Sequence, residues 1–441
     1  MKLFYNLIII IILQSCSFDN KSGIWNNDNN IIKDEKDIFG EFETLFSVNE
    51  SFNNKVSLDK NFQFKSINQI NNSEWTDIFY NGSNNSKNFK YSNINKLIFK
   101  SKKITKYNID NFILSKDSNI ILSDRKGNII IYSYTEKKII RKFNFYKKEY
   151  KKISKFLNLI IENDIIYVSD NLGFLYAYNY INDKILWAKN YKIPFKSNLK
   201  ISNTKLIAAN QNNNLYFINK ISGDIIQLLP TEETIVKNNF INNLSTNKKN
   251  TLFLNTYGSL YSINNETLRI NWFLNLNQSL NLNPSNLFMG NQIVINKNKV
   301  VISSNQYTYV LGINNGSIIY KVNFSSLFKP LIQNDYLFLI TKNNLLISFD
   351  LKSGKIIYSY NINESIAEFL DTKKKKAQFK SMEMVDNKIF IFLKNSYVLK
   401  FNINGELEVI NKLPSKLKTY PIFIDSFMMY LDHKKKLSVI N

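Results

Sequence analysis

Ile165-Ile166-Tyr167-Val168, then Gly173-Phe174-Leu175-Tyr176-Ala177-Tyr178, then Asp183-Lys184-Ile185-Leu186-Trp187 make up one phrase: a hydrophobic strand, a turn, an alternating aromatic strand, a polar turn, and another strand. The phrase returns as Leu252-Phe253-Leu254, Gly258-Ser259-Leu260-Tyr261-Ser262-Ile263 and Arg269-Ile270-Asn271-Trp272. A period of roughly 40–50 residues holding several strands predicts an all-β protein, a β-propeller. The inner-strand motif of the phrase recurs at Asn128–Tyr132, Gly173–Tyr176, Asn214–Phe217, Ser259–Tyr261, Thr308–Leu311, Leu345–Ser348, Tyr397–Leu399 and Leu437–Val439. Eight recurrences predict eight blades of four strands. Each strand alternates, as a strand does when one face packs on a neighbouring blade.

The eighth repeat ends at Asn441 without its last turn and strand, whereas Asn95-Lys96-Leu97-Ile98-Phe99-Lys100 is strand-like with no partner before it. The expectation is that this N-terminal strand closes the last blade and removes two exposed edges. Ser222-Gly223-Asp224 and Lys352-Ser353-Gly354-Lys355 are the clearest turns. Trp187 and Trp272 occupy equivalent places in outer strands, where Phe143, Tyr320, Tyr358 and Phe99 stand in other repeats. A large ring once per blade reads as packing between blades.

Composition narrows the function. With 44% hydrophobic and 14% aromatic residues the chain can bury a large core. Glycine is scarce at 12 residues, and Asn is expected to take its place in turns, because Asn tolerates the left-handed backbone. The net charge of +23 is carried almost wholly by lysine, with Arg125, Arg141 and Arg269 the only arginines. Nucleic-acid recognition favours bidentate arginine, so no nucleic-acid partner is expected, and the joint excess of Lys, Asn and Ile is the skew an AT-rich genome imposes. One cysteine, Cys16, rules out an internal disulfide, and one histidine, His433, rules out a His-cluster metal site. No Gly-rich phosphate loop, nucleophile elbow or metal-ligand spacing is present. No catalytic residue, metal or cofactor is expected.

Met1-Lys2 followed by an apolar run to Leu13 has the length of a signal peptide and is short of a membrane span. Leu13-Gln14-Ser15-Cys16 resembles a bacterial lipobox, with Gln14 departing from the usual small or apolar residue. The resemblance implies cleavage after residue 15 and lipidation of Cys16. Ser17 in the sorting position implies the outer membrane, with the protein facing the periplasm. Residues 16–73, Asn-rich and early in acid, read as a tether with a few docked pieces, and residues 74–441 as the propeller.

The Gly-x-Leu-Tyr … Gly-Lys-x-x-Trp phrase resembles the quinoprotein-type propeller repeat. Eight such repeats with a lipobox resemble the BamB family, propeller lipoproteins of the outer-membrane β-barrel assembly machinery. Trp75-Thr76-Asp77-Ile78-Phe79-Tyr80-Asn81-Gly82, followed by Asn84, Asn85 and Asn88, is similar to that family's entry segment. The resemblance implies a non-catalytic scaffold that binds the periplasmic domains of a BamA-type insertase, with other assembly lipoproteins as companions and unfolded outer-membrane proteins as possible clients. It places partner-binding loops at 230–243 and 281–293. Ile235, Val236, Lys237 and Asn238 fall in the first, and Asn286, Leu287 and Met289 in the second, although the arginine and the acidic residues the family carries there are missing. Two other readings stay open. One is a quinoprotein-like dehydrogenase, which needs a catalytic Asp, a calcium ion held by Glu and Asn oxygens, and an adjacent Cys pair. Only scattered acids such as Glu364, Glu368 and Asp371 stand against that list, beside the exposed run Lys373–Lys376. The other is a propeller that holds a small ligand in its channel, which convergent polar groups there would favour. An apolar rim would favour a protein partner instead.

Overall fold

The computed structural model describes residues 52–233, 241–277, 287–304 and 306–441, together with the backbone of two short strands, Ser17–Phe18 and Trp25–Asn26. These two strands pair antiparallel in a first unit, Met1–Glu50, and Ser51–Asn441 forms the second. The second unit is an all-β propeller built of four-stranded antiparallel sheets, one of which is extended by two short parallel strands, Gln69–Ile70 and Asn88–Phe89. Among the described residues it holds eight sheets, whose third strands are Asn128–Ser133, Phe174–Asn179, Leu215–Asn219, Ser259–Asn264, Thr308–Gly312, Leu345–Asp350, Tyr397–Asn402 and Leu437–Ile440. We number the sheets one to eight in that order.

All the recurrent motifs therefore fall on third strands. Their reading as innermost strands is corrected by the packing: the first strands of neighbouring sheets, Lys200–Ser202, Asn243–Thr246, Val294–Asn296 and Leu331–Gln333, approach one another and line the centre. The third strands are the more conspicuous in sequence because they are buried on both faces, and Asn128–Ser133 is buried at every position.

Every sheet carries a register shift between its third and fourth strands, at Ile131/Tyr132 in sheet one and Ala177/Tyr178 in sheet two. A bulge of this kind sharpens the local twist. The eighth sheet takes its fourth strand from Leu97–Lys100, paired with Leu437–Ile440, and the same shift occurs at Val439/Ile440. Lys96 and Asn441 exchange both backbone hydrogen bonds beside it.

Rings on the fourth strands dock onto the next sheet's last turn. The Trp187 indole N–H donates to the Lys220 carbonyl (2.9 Å), that of Trp272 to Ile313 (2.8 Å), and the Tyr320 hydroxyl to Lys352 (2.6 Å). Gly223, Gly316, Gly354 and Gly405 sit in those turns with φ between +69° and +86°. A Cβ on any of them would lie within 2.7 Å of the docked ring. Few glycines suffice because Asn163, Asn203, Asn213, Asn334, Asn344 and Asn387 take positive φ in other turns. Phe143 stacks on Tyr178 (4.1 Å between centroids), the same ring-to-next-sheet contact without a glycine.

Four antiparallel strands return the chain to the side it started from. All connections between sheets, and the turns between second and third strands, therefore share one face of the ring. That face carries the helix Ile362–Phe369, N-capped by the Asn361 side chain, and the exposed Lys373–Lys376 run, where Lys374 pairs with Glu364 (2.6 Å).

Candidate functional site: a plugged channel with one open mouth

The entry segment Trp75–Ser92 runs around the channel and bonds to the sheets in turn. Trp75 exchanges both backbone hydrogen bonds with Ser115 of sheet one, and the Thr76 carbonyl accepts from Ile161 of sheet two. Lys200 of sheet three donates to Asp77 Oδ2 (2.6 Å), the Asn81 carbonyl (2.9 Å) and Asn84 Oδ1 (2.5 Å). The Gly82 and Ser83 carbonyls accept from Thr246 of sheet four and Ile295 of sheet five. The Asn84 amide donates to the Leu244 and Ile293 carbonyls, and Asn85 exchanges two bonds with Ile332 of sheet six. Asn88 bonds Asn387 of sheet seven, and Phe89 stacks on Phe423 of sheet eight (5.9 Å). Asparagine suits this path, since its side chain both donates to and accepts from strand backbone that the channel leaves unpaired.

The segment covers the channel where the first strands finish. The end where they begin stays open, on the face of the inter-sheet connections. There a cavity of about 230 Å³ has Trp75, Ile78 and Phe79 as its floor and Phe112, Lys329, Lys380, Ser381, Glu383 and Tyr420 among its walls. A larger recess of about 560 Å³ adjoins it at Ile78 and Phe112 and holds the Arg125–Asp110 ion pair (2.8 Å). Phe156, Ile241, Met289 and Leu327 are exposed on the connections around this mouth.

Buried charge concentrates here. Lys200 is wholly buried, and burial pushes its ammonium pKa down against the pull of Asp77. Burial also lowers Lys329, whose Nζ donates to the Asn84 carbonyl (3.0 Å) and Ser86 Oγ (2.6 Å). Lys380 falls to about 8, first through burial and then through Lys418, Lys394 and Lys416 nearby. Burial raises the Glu383 carboxyl, which Lys329 and a hydrogen bond from Ser86 oppose. Glu383 Oε2 and Ser381 Oγ have no hydrogen-bond partner.

Of the residues expected to bind a partner, Leu287 is half-buried and Met289 exposed, both on the connection between sheets four and five. Ile235, Val236, Lys237, Asn238 and Asn286, like Cys16, lie outside the described residues. Sequence reasoning missed Lys200, Lys329 and Glu383. The available signal was a charged residue inside an apolar strand or run: Leu199-Lys200-Ile201, Leu327-Phe328-Lys329 and Met382-Glu383-Met384.

The quinone–calcium centre that this repeat serves in some enzymes does not fit these residues. Calcium wants several converging oxygens. Among the described residues no three Asp, Glu, His or Cys side chains come together, Asp77 is bound to Lys200, and the entry segment fills the channel centre.

Fold and site together define a plugged β-propeller with one open mouth. The family described as "Outer membrane protein assembly factor BamB" matches residues 151–360, and over that stretch the chain is similar to its members. BamB from Moraxella catarrhalis superposes at a TM-score of 0.61 with 12% identity, over 79% of this chain and all of that one. The quinohemoprotein alcohol dehydrogenase from Comamonas testosteroni gives 0.61 with 8% identity, over 83% of this chain and 80% of its own. The computationally designed Ika8 protein gives 0.61 with 10% identity, over 78% and 99%. At such identities the likeness shows the propeller fold alone, which enzymes and non-enzymes share. No curated protein sequence matches the chain.

Proposed function

We propose that this chain is a non-catalytic scaffold lipoprotein of the outer-membrane β-barrel assembly machinery. It is anchored through lipidated Cys16 on the periplasmic side of the outer membrane, and docks the periplasmic domains of a BamA-type insertase. Its propeller is a ring of eight blades closed by Leu97–Lys100. The observation that carries the docking reading is the asymmetry of the two mouths. One is sealed by the entry segment. The other presents exposed apolar residues, Phe156, Ile241, Met289 and Leu327, on the connections between sheets. Such residues at a rim mark a protein partner. Leu287 and Met289 lie on a connection at that mouth, and with Ile235, Val236, Lys237, Asn238 and Asn286 they are the residues to substitute.

A second surface suits unfolded clients. The fourth strands leave apolar residues exposed at sheet edges: Ile185 and Leu186, Ile225, Ile226 and Leu228, Ile270 and Phe273, Ile318 and Ile319. The chain shows what such an edge accepts. Val56 exchanges both backbone hydrogen bonds with Ser359 on the edge of sheet six, as an added strand does.

Affinity isolation of the lipidated protein from gently solubilised native membranes tests the proposal. Recovery of a BamA-type insertase, lost when Ile241 and Met289 are both changed to Asp, is the expected result. Recovery of the propeller without any assembly component overturns it.

A further inference from the structure

The open cavity holds more binding capacity than docking a protein requires. Ser381 and Glu383 stand two residues apart on one strand, Phe379–Val385, so they share a face. Each is 8% exposed, each lines the cavity, and each has a polar atom without a partner, Ser381 Oγ and Glu383 Oε2. Buried polar atoms are almost always paired, and an exception asks for a water, an ion or a ligand. Donors are left over on the same lining. An ammonium group has three protons. Lys329 uses two on the entry segment, and Lys380 uses one on the Lys418 carbonyl (2.8 Å). An aromatic wall completes the lining: Phe79 meets Phe112 edge to face (5.4 Å), and Phe112 meets Tyr420 (5.1 Å).

We propose that this cavity binds a small zwitterion with a flat apolar body, of the size of an aromatic amino acid. Its carboxylate lies at Lys329 and Lys380, its ammonium at Glu383 Oε2, and its ring on Phe79, Phe112 and Tyr420. An anion alone would leave Glu383 Oε2 without a hydrogen bond and would be repelled by the carboxylate. A cation alone would face two lysines. The cavity's 230 Å³ equals roughly eight water volumes at about 30 Å³ each, which suits a ligand of this size and excludes a folded partner. The site is independent of the docking reading, since none of its polar groups lies on the apolar rim.

Titration calorimetry on the full chain tests it, with phenylalanine, tyrosine and tryptophan as probes. Phenylpropionate, which lacks the ammonium, and phenethylamine, which lacks the carboxylate, serve as controls. At least one amino acid binds, about tenfold or more tighter than either control, the factor expected for one charged hydrogen bond. Glu383→Gln lowers amino-acid affinity about tenfold and strengthens phenylpropionate binding; Lys380→Met weakens both. Unchanged melting cooperativity in Glu383→Gln separates this from loss of fold. Three results each overturn the proposal: no saturable binding of any probe up to about 10 mM, equal binding of the three charge types, or a crystal structure grown with the amino acids that shows water alone on Ser381 and Glu383.

Discussion

Lys200 shows what one residue does here. Its ammonium is buried, held by Asp77, Asn81 and Asn84, and so ties sheet three to the segment that crosses the channel. Removing one partner of a buried pair leaves the other charge uncompensated, which costs about 3–5 kcal/mol. Lys200→Met is therefore expected to lower stability by that order in urea unfolding, and the double change Lys200→Met with Asp77→Leu to recover most of it. Lys400 offers a pH test. It bonds Asn93 and Asn95 and lies over the Phe390 ring, and its pKa falls to about 8, chiefly through burial and then through Lys388. A base whose folded pKa lies below its unfolded value, 10.5, sheds its proton first in the folded state. Its contribution to stability is complete above 10.5 and lost as pH falls through about 8. Melting temperatures measured from pH 7 to 11 should show Lys400→Met with a smaller gain in that window than the parent.

At the scale of the element, the unit is a fourth-strand ring seated on the next turn. Trp187 and Trp272 bury their rings and satisfy their N–H groups on a neighbouring sheet, so each fastens two sheets. Trp272→Ala should cost about 3–5 kcal/mol, as large aromatic truncations do. Gly316→Ala should also destabilise, because its φ of +69° strains any side chain and its Cβ would strike the Trp272 ring. Denaturant unfolding of both single variants and the double variant measures their coupling. Losses that simply add would break the argument that ring and glycine form one contact. The edge strands make a second element-scale case. Sheet six differs from its neighbours: Val56 lies on its edge, and Ile357 and Tyr358 of its fourth strand are buried, whereas Ile225, Ile226 and Leu228 of sheet three are exposed. Changing Ile226 and Leu228 to Lys should leave the melting temperature nearly unchanged and reduce crosslinking to extended, alternating apolar peptides.

At the scale of the whole molecule, two N-terminal segments tie distant sheets together. Leu97–Lys100 completes the sheet begun by the last residues of the chain, and the entry segment Trp75–Ser92 bonds to all eight sheets. Both lie near the N-terminus in sequence and reach partners up to 349 residues away. Deleting Leu437–Asn441 should lower the melting temperature of the whole ring and broaden its transition. An unchanged, cooperative transition in calorimetry would mean that the eighth sheet contributes little to the rest. Deleting Trp75–Ser92 should do more, since it removes hydrogen bonds from the first strands of sheets one to six together and exposes their unpaired backbone and Lys200 and Lys329.

The period, the number of motifs, the strand without a partner and the rings between sheets were all legible in the sequence. Each is local or recurs at a fixed spacing, and alternation within a strand is set by backbone geometry that neighbours cannot alter. The entry segment was legible as a motif and not as a plug, because asparagine in a loop and asparagine bonding a distant strand look alike along the chain. Which strand is innermost was misjudged for a related reason: burial on both faces makes third strands conspicuous, while first strands are short and mixed. The cavity was decided by tertiary structure alone. Lys329 and Lys380 are 51 residues apart, Phe112 and Tyr420 are 308 apart, and only closing the ring brings their charges and rings to one mouth.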